Sequence, residues 1–357
     1  MIFIFIIILV VMALILQRRM LRRGLQSLSA VYRTDRNVAE PGEAFRLRVT
    51  LKNNGRHTMS YIKVRVNFPE TMHLSDSEAA GHIQKGPGGG PSVIRTLWLR
   101  PGEQAELSIE VVIHERGKFV IPHPVVYGGD FLGIAEQVRR LEQYREIVVA
   151  PREISAMPAA VLSGGILGDY PVRRFLYEDP VLTAGYREYT GREPMKMISW
   201  TQSARGLGLM VRTLDHTAQP SVRVILNVDT TVDDRELVLE YGFSLARMVC
   251  KVLEEREIPY DFFTNAVTDG GWGEPEVGEG LGGNHFQSVL ECLGRATYKA
   301  GMSCASLAKK SLERRTTPGG CIFITPDDEF SDAGLSLLFQ EATDGQYQVI
   351  GMREVMP

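Results

Sequence analysis

Two short acidic segments carry the oxygen-rich side chains from which a hard cation could be held: Asp229-Thr230-Thr231-Val232-Asp233 and Thr325-Pro326-Asp327-Asp328. Magnesium takes carboxylate and hydroxyl oxygens in a near-octahedral array. Asp229, Thr231, Asp233 and Asp327 are therefore the candidate metal residues. The competing reading is that Asp229 and Asp233 cap the helix that follows, where a carboxylate favours the positive end of the dipole. Ser203, close to Arg205, is the candidate nucleophile, but its segment holds no histidine base and no Gly-x-Ser-x-Gly elbow. The seven histidines, His216 and His285 among them, form no HExxH and no pair at ligand spacing, which argues against a zinc hydrolase. Cys250, Cys292, Cys304 and Cys321 form no CxxC and read as small buried hydrophobes in a reducing compartment. A net charge of -3 offers no global basic field for nucleic acid.

Around these residues the pattern changes along the chain. Met1 to Leu16 is an unbroken apolar run followed by Arg18, Arg19, Arg22 and Arg23. This predicts a single transmembrane anchor over 1–23, whose C-terminal arginines keep the remainder on the cytoplasmic side. From Val31 to about Ala150 the period is two. Phe45, Leu47, Val49 and Leu51 alternate with polar residues, as do Ile62, Val64, Val66 and Phe68, so an antiparallel β-sandwich is expected over 24–155. Lys85 to Pro91 is Gly-rich, yet no Gly-Lys-Ser/Thr follows it and it leads into a strand, so it is a loop and not a phosphate cradle. Asp130, before Phe131-Leu132-Gly133, reads as a turn-capping acid.

Residues 156–219 read as a linker followed by a segment dense in arginines and aromatics. From 220 to 357, apolar runs at 222–228, 260–264, 321–325 and 347–352 alternate with helical periods. Leu237, Tyr241, Leu245, Met248 and Val252 predict one such helix, with Asp233 or Asp234 as its N-cap. Alternation of this kind predicts a doubly wound parallel sheet, with ligands beyond the C-terminal ends of its strands. Asp269 to Gly283 is a Gly- and Glu-rich loop whose acids repel phosphate.

The run Tyr186-Arg187-Glu188-Tyr189-Thr190-Gly191, then Ile198-Ser199-Trp200, then Ser203-Ala204-Arg205, resembles the core motif of the domain-of-unknown-function family fifty-eight. These are membrane-anchored bacterial and archaeal proteins with a von Willebrand factor A-like domain, often encoded beside MoxR-type AAA+ ATPases. Where the family has Gly-Asp, this chain has Gly191-Arg192-Glu193, so the acid falls one residue later. The resemblance makes Asp229-x-Thr231-x-Asp233 a degenerate form of the metal motif of von Willebrand A domains.

The expected fold is therefore α+β multidomain: an N-terminal transmembrane helix, an antiparallel β-sandwich, then a doubly wound α/β domain of von Willebrand factor A type. The expected function is a non-catalytic accessory or adaptor protein, tethered at the cell membrane with its domains in the cytoplasm. Its implied partners are the membrane, other proteins and a MoxR-type ATPase. Arg187, Tyr189, Gly191, Trp200, Ser203 and Arg205 would form its structural lock or docking face. The alternative is a metal-dependent binder that grips a partner's acidic residue through magnesium.

Overall fold

A computed structural model describes residues 2–75, 81–129, 136–155, 177–191, 195–205, 208–218, 221–231, 234–270, 275–313, 320–326, 333–343 and 346–356. The chain divides into two units, Met1–Arg152 and Glu153–Pro357. Asp130, the linker residues 156–176, Glu193, Asp233 and Asp327 lie outside the described residues.

The first unit begins with α1 (Ile2–Gln26) and continues through twelve strands. They are β1 (Leu28–Thr34), β2 (Val38–Ala39), β3 (Ala44–Asn53), β4 (Met59–Asn67), β5 (Met72–Ser75) and β6 (His82–Lys85), then β7 (Pro91–Leu99), β8 (Gln104–Ile113), β9 (Gly117–Ile121), β10 (Val125–Gly129), β11 (Glu136–Arg140) and β12 (Arg145–Val149). Two antiparallel sheets, ordered β1-β3-β8-β5 and β11-β10-β4-β7-β6, turn their apolar faces to one core. Leu47, Val49, Leu51 and Ile109 meet Ile62, Val64, Val66 and Val126 there. Period-two side chains make this inevitable: one face of each strand is apolar and must be covered. A third, small sheet, β2-β12-β9, completes the unit. The Gly-rich run between β6 and β7 is a hairpin loop. It is closed by the Gly86 N–H donating to Gly90 O at 2.8 Å, with Gly90 seated on the backbone of Phe68 to Glu70.

The N-terminal expectation is corrected. Among the described residues no helix is long and apolar enough to cross a membrane. The apolar run rises only about 24 Å, against about 30 Å of hydrocarbon, and α1 then continues through its arginines before ending in the sandwich. There Leu25 is buried, Gly24 lies against Met59, and the Arg139 guanidinium donates to the Leu25 and Leu28 carbonyls. The helix end is thus a docked and capped part of the fold. The transmembrane anchor, the membrane placement and the cytoplasm-facing topology that followed from it are not supported.

The second unit contains β13 (Tyr177–Glu188), α2 (Trp200–Ser203), β14 (Met210–Ala218), β15 (Val222–Leu226), α3 (Arg235–Glu255), β16 (Tyr260–Thr264), β17 (Ala266–Thr268) and β18 (Glu276–Gly280). It continues with α4 (Gly283–Arg295), β19 (Ala296–Ala300), α5 (Cys304–Glu313), β20 (Cys321–Thr325), α6 (Ala333–Ala342), β21 (Tyr347–Gly351) and α7 (Met352–Val355). The sheet runs β18-β16-β15-β20-β21. β15, β16, β20 and β21 are parallel, and β18 closes one edge antiparallel to β16. Val224, Leu226, Ile322 and Ile324 face α3, α4 and α7, while Ile225, Cys321 and Phe323 face α5 and α6. Here too the expectation is corrected. The sheet with helices on both faces is mixed and not all-parallel, because β18 adds an antiparallel edge, and two antiparallel hairpins, β13-β14 and β17-β19, accompany it. Across the described residues the chain is predominantly antiparallel β. The Gly- and Glu-rich stretch read as loop supplies β18, whose pairing comes from backbone groups that β16 leaves free and from no side-chain pattern.

Candidate functional site

The polar side chains that gather at the C-terminal ends of the parallel strands are chiefly amides. β15 runs into Asn227, β16 into Asn265, and β20 ends in Thr325; all three side chains are buried. Asn265 Nδ2 donates to Asn227 Oδ1 at 2.7 Å and to the Met302 carbonyl at 3.0 Å, and its Oδ1 accepts from the Val228 N–H at 2.8 Å. Asn227 Nδ2 donates to Thr325 Oγ1 and to the Asp229 carbonyl, both at 3.2 Å, and its Oδ1 also accepts from the Asp229 N–H at 3.0 Å. Every donor and acceptor of the two carboxamides is engaged. Such a network stiffens the ground it stands on and leaves no amide N–H free to donate to a ligand.

Asp229 is the charged group this network positions. Its Oδ2 accepts from the Cys304 N–H at 3.1 Å, at the first turn of α5. Ser303 closes the same turn, its Oγ accepting from the Ser306 N–H at 3.4 Å. Asp229 therefore caps α5 and not the helix that follows it in sequence. At that following helix, α3, Asp234 is the N-cap at φ 60° and makes no side-chain capping bond. Thr231 is exposed, and Asp233 and Asp327 lie outside the described residues. Among the described residues no three His, Cys, Asp or Glu side chains converge as metal ligands. Of the four candidate metal residues the structure thus describes two, Asp229, whose Oδ2 takes the Cys304 N–H, and the exposed Thr231.

The arginine- and aromatic-rich motif folds as a brace on β14. Arg187 pairs with Val211 and Glu188 with Met210 across the β13-β14 hairpin, and the Tyr189 N–H donates to the Leu209 carbonyl at 2.7 Å. On the other side of β14, Ile198 bridges Val211 and the Ser199 N–H donates to Met210 O at 2.8 Å. Ser203 ties the knot: its hydroxyl donates to Ser199 O and accepts from the Met210 N–H, both at 2.9 Å. A hydroxyl so engaged is a structural clamp. Gly191 sits at φ +88°, in the left-handed region that glycine enters without strain. Tyr189 is half-buried, whereas Arg187 and Arg205 are exposed. Trp200 is 62% exposed and Met195 70%.

His285 does not approach this motif as a base would. Its ring packs edge-on to Tyr260, with centroids 4.7 Å apart, between α4 and β16. Sequence reasoning named the acids at this sheet end, with Thr325 beside them, and missed Asn227 and Asn265. The available signal was a polar residue terminating an apolar strand, repeated on neighbouring strands.

No family model and no curated protein matches this chain. Among solved structures it is similar to a CARDB domain from Pyrococcus furiosus (16% identity, 34% of this chain and 86% of that one, TM-score 0.23). It is likewise similar to a cohesin module of a family 33 glycoside hydrolase from Clostridium perfringens (12% identity, 34% and 96%, TM-score 0.27). A third is a non-cellulosomal cohesin from Archaeoglobus fulgidus (9% identity, 34% and 91%, TM-score 0.24). None of the three is a von Willebrand factor A domain, so nothing among them supports that label, and at TM-scores of 0.23 to 0.27 they carry no argument.

Proposed function

We propose that this chain is a non-catalytic protein-interaction module, an accessory or adaptor whose docking face is the brace around β14. The observation that carries this reading is a division of labour within one motif. Ser199 and Ser203 spend their polar groups on the backbone, while Trp200 and Met195 put large apolar surface into solvent. Exposed tryptophan beside arginine is the composition that dominates protein–protein hot spots. A hydrolytic reading would need Ser203 free and a base beside it, and its hydroxyl is already held at both ends.

The motif's resemblance to family fifty-eight makes a MoxR-type AAA+ ATPase the partner to test. The experiment is affinity capture of the tagged chain with mass spectrometry of what accompanies it, beside a Trp200→Ala, Arg205→Ala variant. The expected result is enrichment of a AAA+ ATPase by the wild type and its loss from a variant of unchanged thermal stability. Retention in the folded variant makes the motif architectural, and absence of any ATPase removes this partner from the proposal.

A further inference from the structure

The outer face of the five-stranded sheet in the first unit carries charged and aromatic side chains that the function above does not use. Strand register places Val138, Tyr127, Lys63 and Thr96 in one row across β11, β10, β4 and β7. Arg140, Val125, Arg65 and Ile94 form the next row. Directly paired residues share a face, and the opposite face, Ile62, Val64, Val66 and Val126, is the sandwich core. On the outer side Lys63 Nζ lies 5.7 Å and Arg65 Cζ 5.2 Å from the centroid of Tyr127. Arg65 Nη1 also donates to Tyr127 Oη at 3.2 Å. At the end of the sheet, Arg100 Cζ stands 5.2 Å from the centroid of Trp98.

Here the rings serve as seats for cations. Among the described residues, no carboxylate forms an ion pair with Lys63, Arg65, Arg100 or Arg140, and the buried Arg65 Nε has no hydrogen-bond partner. Glu136 is the acid on this face, one row away beside Gly129. Positive charge is held in place on a flat surface, so an incoming anion need not freeze long side chains first.

We propose that this face docks an acidic segment of a partner protein, lying extended with carboxylates on alternate residues. Lys63 and Arg65 are two residues apart on one strand, about 6.8 Å, and carboxylates on one side of an extended peptide repeat at that same distance. The competing anion, a single-stranded nucleic acid, needs ring faces open for stacking. Tyr127 and Trp98 already have theirs occupied by cations.

The test is fluorescence anisotropy of the full chain with a short labelled peptide of alternating glutamate and serine. The same peptide with glutamine for glutamate and a labelled oligothymidylate run alongside. Binding to the glutamate peptide is expected, weakening about 10-fold or more in a Lys63→Glu, Arg65→Glu variant and with the glutamine peptide. Tyr127→Phe keeps the ring and removes the hydrogen bond to Arg65; a loss of about 2- to 3-fold is expected there. That milder variant, with Lys63→Ala, keeps the question open to measurement if charge reversal prevents folding. The Trp200→Ala, Arg205→Ala variant should bind as the wild type, which separates this surface from the brace around β14. No binding of the glutamate peptide, equal binding of the glutamine peptide, unchanged affinity in the Lys63 and Arg65 variants, or tighter binding of oligothymidylate would each overturn the proposal.

Discussion

Asn265 holds together three segments that are far apart in sequence: the end of β15, its own loop, and the entrance to α5. Its amide answers the Val228 N–H, the Asn227 side chain and the Met302 carbonyl, and its backbone carbonyl takes the Gly301 N–H at 2.7 Å. Replacement by alanine strands the first and third of these and removes one acceptor contact from the second, in a place that water does not reach. Asn265→Ala is expected to cost about 2–4 kcal/mol, read as a lower urea midpoint with an unchanged slope. A loss below about 0.5 kcal/mol, the range of surface substitutions, would show that the amide network is decorative. The same reasoning explains why acids alone were a poor guide to this sheet end. The sequence displays Asp229 as a charge, but its nearest partner, the Cys304 N–H, is brought to it only by the fold.

Elements were legible where one face alone is buried. In β3 the burial of successive side chains alternates with the apolar pattern, because the other face is solvent. The helix α3 was legible as a helix but not in its orientation. The stripe expected inside began at Leu237, which is 62% exposed. The buried apolar side chains are Val238, Leu239, Phe243, Ala246, Val249, Cys250 and Leu253, with Leu245. Apolar residues line more than one side of α3 because it is covered by the sheet, α4 and α7, and spacing alone cannot rank two apolar stripes. β18 was illegible for the opposite reason, having almost no apolar residues to display. The hairpin between β6 and β7 offers a paired test at this scale. A Cβ at Gly90 would lie 2.2 Å from Phe68 O and under 3 Å from the backbone of Pro69 and Glu70, while one at Gly88 meets nothing within 4 Å. Gly90→Ala is expected to destabilise the first unit by about 1–3 kcal/mol, and Gly88→Ala by less than about 0.5 kcal/mol. Equal effects in thermal denaturation would mean that the loop does not rest on Phe68-Pro69.

At the scale of the molecule, burial of ionisable groups sets the alkaline limit. Burial, with a smaller contribution from Glu291, pushes the Cys292 thiol up to about 12. Burial likewise holds the Cys250 thiol well above its ordinary value and raises the phenols of Tyr260 and, in the first unit, Tyr32. The unfolded chain releases these protons at ordinary thiol and phenol values, about 8.5 and 10. The folded chain holds them to higher pH, so their contribution is complete below about pH 8 and is lost as pH rises toward 12. Urea midpoints are expected to fall between about pH 8 and pH 11, less steeply in Cys292→Ala. A midpoint that rises or stays level over that range would contradict the sign. The order of strands in the second sheet has a consequence for synthesis on the ribosome. β15 lies at its centre, yet Thr325, the residue on β20 that accepts from Asn227, comes 98 residues later in the chain. A nascent chain that has already emitted β15, α3 and β16 therefore lacks the neighbour that covers the other edge of β15. The loop-closure cost is met only when β20 leaves the tunnel, so the sheet closes in one late step after β20 appears, and β15 keeps one edge unpaired until then.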